Sequence, residues 1–306
     1  NSLLSSLMIL SLLFAPWVGI LTPLDVSAAS APETDIQGNG VSIADGDTTP
    51  SQDDRTDFGS VNVNGGSVER KFIIYNTGNA NLNLTGSPRV VISGDNAADF
   101  TVTRLPKTPV LPGGSDYFKI TFDPSALGKR EAVVSITNND SNENPYNFYI
   151  QGTGVTPEID IQGKGVTIVD GDTTPSLSDY TRFGSVDVAN GTVVRKFIIY
   201  NTGTGNLNLS GSPRIVISGA NAADFTVTRL PASSIAPGGS DYFKITFNPS
   251  AAGSRKAVIS IVNNDSNENP YNFSIQGTGS VSSPLLINND GVIYADSFML
   301  APFEQG

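Results

Sequence analysis

The chain has 306 residues, with 29 acidic against 18 basic side chains, a net charge of -11, and neither Cys nor His. Without Cys there is no disulfide and no thiolate metal site, and without His the usual general base, the commonest zinc ligand and the Ser-His-Asp arrangement are all missing. The acidic balance opposes phosphate backbones and anionic membrane surfaces and attracts divalent cations, so no nucleic-acid partner is expected.

In chain order, residues 1–31 read as a secretory signal. Leu3 to Leu21 is apolar and uncharged, and Val26-Ser27-Ala28 offers small residues for cleavage near Ala28 or Ala29. The basic stretch that normally precedes such a segment is expected ahead of Asn1. An uncleaved membrane anchor is the alternative, since the run is nearly long enough to span a bilayer; Pro16 and the small residues favour cleavage.

Residues 32–155 then read as short strands. In Val68–Tyr75, Tyr117–Phe122 and Ala132–Ile136, apolar and polar residues alternate with period two, so one face of each strand looks into a core. The expected core residues are Phe72, Ile74, Phe118, Ile120, Phe122, Val134, Ile136, Phe148 and Ile150. The opposite phase carries Lys119, Ser135, Tyr149 and Gln151 toward solvent. Asn76-Thr77-Gly78, Gly86-Ser87-Pro88, Pro112-Gly113-Gly114, Asp123-Pro124-Ser125 and Asn144-Pro145 are turn signals. Only Asn96 to Asp99 suggests a helical turn.

The stretch NNDSNENPYNFYIQGTG, Asn138 to Gly154, returns as NNDSNENPYNFSIQGTG from Asn263 to Gly279. The offset, 263 − 138 = 125, also relates Asp35 to Asp160, Phe58 to Phe183, Phe72 to Phe197 and Asp116 to Asp241. Residues 156–279 are therefore a second copy of the same self-sufficient unit. Its expected core is Phe197, Ile199, Phe243, Ile245, Phe247, Ile259, Ile261, Phe273 and Ile275. The fold class that follows is all-β: two tandem immunoglobulin-like antiparallel β-sandwiches set end to end. In the short linker between them, Gly154 lends freedom and Pro157 removes it. In the tail, 280–306, Leu285-Leu286-Ile287 and Val292-Ile293-Tyr294 flank a hairpin signal, Asp290-Gly291. It reads either as the start of a further domain or as a disordered end.

Over both copies the motifs DIQGNGVSIADGDTTPS, DFGSV, FIIYNTG, NAADFTV, PGGS, ITFDPSA and NNDSNENPYNFYIQGTG resemble the choice-of-anchor D domain of bacterial surface proteins. That domain is in turn similar to immunoglobulin-like modules of the abnormal-spindle, Hydin and major-sperm-protein type. The resemblance implies an immunoglobulin-like sandwich on a secreted or surface-anchored protein, and it supplies no catalytic residue to carry over. No sorting motif follows Gly279.

The constellation that could carry chemistry is acidic. Asp45, Asp47 and Asp54 precede the strand that begins near Phe58, and Asp140, Asn142 and Glu143 lie in the turn before the closing strand. Asp170, Asp172, Asp179, Asp265, Asn267 and Glu268 match them in the second copy. Ca²⁺ needs six to eight converging oxygen ligands, which such Gly- and Asn-rich loops can supply. An EF-hand does not fit, because counting from Asp140 puts Pro145 where Gly is required and Gln151 where Glu is required. The commoner use of the same residues is a solvated turn in which Asp and Asn cap their own backbone. A glycosidase pair of carboxylates is disfavoured, since no apolar sequence surrounds either acid to raise its pKa.

The sequence thus points to a secreted or cell-surface module, monomeric and non-enzymatic, acting as a spacer or adhesive element, with Ca²⁺ as its one candidate cofactor. The alternatives are a binding module for a surface protein or glycan, contacting it through loop residues such as Tyr146 and Tyr271, and an accessory region of a larger secreted enzyme.

Overall fold

The computed structural model describes residues 30–282, together with 286–287 and 293–294. The signal-peptide reading lies outside the described residues, and among those described no helix is long and apolar enough to cross a membrane.

Period-two alternation becomes strand in every window where it is strongest. In the first repeat β1 (Thr34–Gly38), β2 (Val41–Ile43), β3 (Asp57–Asn62), β4 (Val68–Asn76) and β5 (Val91–Ser93) are followed by a single 3-10 turn, Ala97–Asp99. Then come β6 (Phe100–Arg104), β7 (Ser115–Phe122), β8 (Gly128–Ile136) and β9 (Tyr146–Val155). One sheet runs β2-β1-β4-β7-β6 and the other β3-β9-β8-β5. All pairings in the two sheets are antiparallel except β3 with β9, which run parallel.

Each expected core residue is buried. Phe72, Ile74, Phe118, Ile120, Phe122, Val134, Ile136, Phe148 and Ile150 share one cluster, while Tyr149 on the other face of β9 is 41% exposed. Within the first sheet Phe72 of β4 stacks on its cross-strand partner Phe118 of β7 at 5.3 Å, and the two sheets meet through rings, Phe72 being tilted against Phe148 of β9 at 5.8 Å. Phe58 sits edge-on to Phe100 and Phe122 at 5.5 and 6.0 Å. Burying one such side chain contributes about 2–3 kcal/mol.

The second repeat copies this through β10 (Ile159–Gly163), β11 (Val166–Thr167), β12 (Arg182–Asp187), β13 (Val193–Asn201), β14 (Leu207–Asn208) and β15 (Val216–Ser218). It continues with β16 (Phe225–Arg229), β17 (Ser234–Ile235), β18 (Ser240–Phe247), β19 (Gly253–Ile261) and β20 (Tyr271–Ser280). Its core is a separate cluster that contains all nine residues expected there. In the tail Leu286–Ile287 pairs antiparallel with Ile293–Tyr294, as the hairpin signal implied.

The junction departs from the linker expectation. Gly154 is a residue of β9, where a Cβ would stand 2.0 Å from the Ala126 carbonyl oxygen, so close approach and not flexibility requires glycine there. Val155 accepts a bond from Val63 N of the first repeat at 3.0 Å. The next residue, Thr156, already belongs to the second: its carbonyl accepts from Thr204 N at 2.7 Å and Gly205 N at 2.8 Å. Glu158 O accepts from Thr202 N at 2.9 Å, and Asn62 Nδ2 of the first repeat donates to Asn264 O of the second at 3.3 Å. No freely hanging peptide separates the sandwiches.

Candidate functional site

Asp45, Asp140 and Glu143, with Asp170, Asp265 and Glu268 in the second repeat, gather at the end where β1 (or β10) begins and β9 (or β20) starts. The backbone of Asp54 and Asp179 instead packs against Gly38 and Gly163 at the far end of β1 and β10. The turn between β8 and β9 is held by its own amides. Asn138 Oδ1 accepts from Asp140 N at 2.6 Å, and Asn138 Nδ2 donates to Glu143 O at 2.9 Å. This places the Asp140 carboxylate, 1% exposed, to accept from Thr34 N of β1 at 2.8 Å, tying the closing turn to the first strand. In the second repeat Asp265 accepts from Ile159 N at 3.0 Å in the same way.

The other aspartates serve the backbone close by. Asp45 Oδ1 accepts from Asn147 N at 2.7 Å, and Asp47 Oδ1 from Thr49 N and Thr49 Oγ1 at 2.8 and 2.6 Å. Asp54 Oδ1 accepts from Thr56 N and Oγ1 at 2.9 and 2.6 Å. Asp170, Asp172 and Asp179 repeat these roles on Asn272, Thr174 and Thr181. Asp47, Asp54, Asp172 and Asp179, each accepting from the amide two residues on, form Asx-type turns, whereas Asp45 and Asp170 tie their loop to the closing strand 102 residues away. Asn142 is exposed, and Asn267 N donates to Asp265 Oδ1 at 3.4 Å.

The two glutamates differ from the aspartates. Glu143 Oε2 and Glu268 Oε2 are enclosed without a hydrogen-bond partner. Burial, followed by the charges of Asp140, Glu33, Asp45 and Asp35, pushes the Glu143 carboxyl up to about 7. Burial, then Glu158, Asp265, Asp170 and Asp160, pushes Glu268 up to about 7 as well. Carboxylate oxygens of Glu158, Asp265 and Glu268 lie within 4.8 Å of one another. Of the twelve acidic and amide residues expected from sequence, the structure thus brings Asp265 and Glu268 together. Their companion Glu158 comes from the junction, which the sequence reading did not include, although its position immediately before β10 and 107 residues from Asp265 (265 − 158) left only its charge as a signal.

Tyr146 and Tyr271 are not exposed loop residues as expected. Each opens the closing strand, is 2% exposed, and donates its hydroxyl to a carbonyl, that of Ile43 or Ile168. Desolvation, together with the neighbouring glutamate, raises both phenols far above their usual range. They anchor the core and cannot contact a partner.

No curated protein matches the chain. Solved structures to which it is similar include a protein of unknown function from Porphyromonas gingivalis W83, at 16% identity and a TM-score of 0.30, covering 69% of this chain and 91% of that one. The VesB protease of Vibrio cholerae is 8% identical with a TM-score of 0.27, covering 82% and 96%. The Yersinia pseudotuberculosis adhesin InvE is 8% identical with a TM-score of 0.29, covering 85% and 67%. The family model of the HYDIN/CFA65/VesB-like Ig-like domain matches twice, over residues 51–153 and 176–278. These two segments take up more than half of the sequence and fall one in each sandwich, from β3 through most of β9 and from β12 through most of β20, and the chain accordingly belongs to the HYDIN/CFA65/VesB-like Ig-like domain family.

Proposed function

We propose that this chain is a non-catalytic spacer of the choice-of-anchor D type, exported to the cell surface or secreted, whose two sandwiches hold a distal element at a fixed distance. The observation that carries this reading is the junction, where hydrogen bonding passes from Val155 of one repeat to Thr156 of the next with no unbound residue between. A spacer transmits position only if its joints are stiff, and a joint bonded through backbone on both sides meets that requirement. Small-angle scattering is the test. The full chain should give an elongated particle whose maximum dimension is about twice that of a single repeat; a compact particle with the repeats folded on each other would reject the reading.

Calcium attaches to the same reading at Glu158, Asp265 and Glu268, where the enclosed and unpartnered Glu268 Oε2 adds to the convergence of oxygens. Titration calorimetry with Ca²⁺ should show heat that Glu158→Gln abolishes. Absence of heat in the unaltered chain removes the cation from the account and leaves the spacer untouched.

A further inference from the structure

Basic residues are scarce in this chain, yet the outer face of the β10-β13-β18-β16 sheet brings three of them around one ring. Lys196 of β13 and Lys244 of β18 are direct cross-strand partners. Their ammonium groups stand 4.5 and 5.9 Å from the centroid of Tyr242, and the Arg229 guanidinium lies over the same ring at 3.4 Å. Arg229 is fixed by Asp241, Nη2 to Oδ1 at 2.8 Å, while neither lysine pairs with a carboxylate among the described residues. Like charges directly opposite each other weaken a sheet. The first repeat has the same opposed pair, Lys71 and Lys119, but there Glu69 takes Lys119 at 2.6 Å and is itself held by Thr103 at 2.8 Å. At the position of Glu69 the second repeat has Val194, 51% exposed.

We infer that the outer sheet face of the second repeat, centred on Lys196, Tyr242 and Lys244, binds a linear anionic polysaccharide. A sulfate or carboxylate set between the two ammonium groups relieves the repulsion that Glu69 relieves in the first repeat. Lys196 is exposed and Lys244 partly so on the outer face of a sheet, which suits a polymer lying across it and not a single enclosed anion. Thr228 and Thr246, hydroxyl to hydroxyl at 3.4 Å, flank the cations and offer hydrogen bonds to sugar hydroxyls. Duplex DNA, with a charge every ~1.7 Å, sets far more negative charge against a chain of net charge -11 than a polysaccharide charged once per sugar does. The inference goes beyond the spacer reading and does not depend on it.

The test is binding of the full chain at low salt to immobilised ι-carrageenan, which is sulfated about once per sugar, and to alginate, which is carboxylated once per sugar. Saturable, salt-sensitive binding to either supports the inference, and the preferred column names the anionic group. Lys196→Ala and Val194→Glu, both on the exposed face, should each weaken it about tenfold, whereas Lys71→Ala should change it little. Thermal melting confirms that the variants are folded. Binding to neither polymer, binding that the two variants leave unchanged, or stronger binding to duplex DNA or polyglutamate would overturn it.

Discussion

Replacing Glu268 by Gln removes one charge from the crowded end of the second repeat and keeps the shape of the side chain. In the folded chain this carboxyl titrates near 7 instead of 4.5, raised by burial and by Glu158, Asp265, Asp170 and Asp160. The folded state therefore holds a proton between about pH 4.5 and 7 that the unfolded state has released, and stability falls as pH rises through that window. Unscreened, the difference corresponds to roughly 3 kcal/mol. One carboxylate oxygen is enclosed but the side chain is only half-buried, so solvent screening leaves about 1 kcal/mol. By calorimetry the unaltered chain should melt several degrees lower at pH 8 than at pH 5.5, about 3–6 °C for a repeat of this size. Glu268→Gln should recover most of the difference at pH 8 in the transition of the second repeat, leave the first repeat, where Glu143 titrates over the same window, as it was, and change little at pH 5.5. Asp99, Asp116, Asp224 and Asp241 shift downward, so their contributions are lost only at lower pH and do not overlap this window. A variant that melts below the unaltered chain at pH 8 would show that Glu268 stabilises in its charged form, and would refute the reasoning.

Two further substitutions probe the sandwiches. A Cβ on Gly152 would lie 2.3 Å from Cε1 of Phe122, at the centre of the first core, so Gly152→Ala should cost about 2–3 kcal/mol and lower the melting temperature of that repeat; unchanged melting would mean that the ring moves aside freely. Phe72→Ala removes a ring in contact with Phe58, Phe118 and Phe148 and should cost about 3–5 kcal/mol. Because the two cores are separate clusters, a calorimetric transition for the second repeat should persist at its original temperature, and a shift of both transitions together would contradict their independence.

The core was readable because alternation assigns each residue of a strand to a face without reference to its partner. Phe118, Ile120 and Phe122 needed nothing more. Partners are another matter: the parallel pairing of β3 with β9 joins Ser60 to Thr153, and no local signal reports it. The same limit hid the opposed lysines of the outer face, which are 48 residues apart in sequence (244 − 196) and become a site only through register. Tyr146 reads as a loop residue because it adjoins a turn rich in Asn and Pro, while its burial depends on Ile43, brought over it by β2. Gly154 looked like hinge material for a comparable reason, since the Ala126 carbonyl that demands a glycine lies in a different loop. The acidic loops were legible in composition but not in use: whether an aspartate caps an amide or faces another carboxylate is decided by fractions of a turn.

The stiffness of the junction is the claim on which the spacer account rests, and the absence of Cys makes it directly measurable. Spin labels placed on the full chain at the exposed residues Thr101 and Thr226, one on each repeat, report the distance across the joint by double electron–electron resonance. The account predicts a single narrow distribution, no broader than that between labels at Asn83 and Thr101 within the first repeat. A broad or multi-peaked distribution across the joint, alongside a narrow one within the repeat, would contradict it.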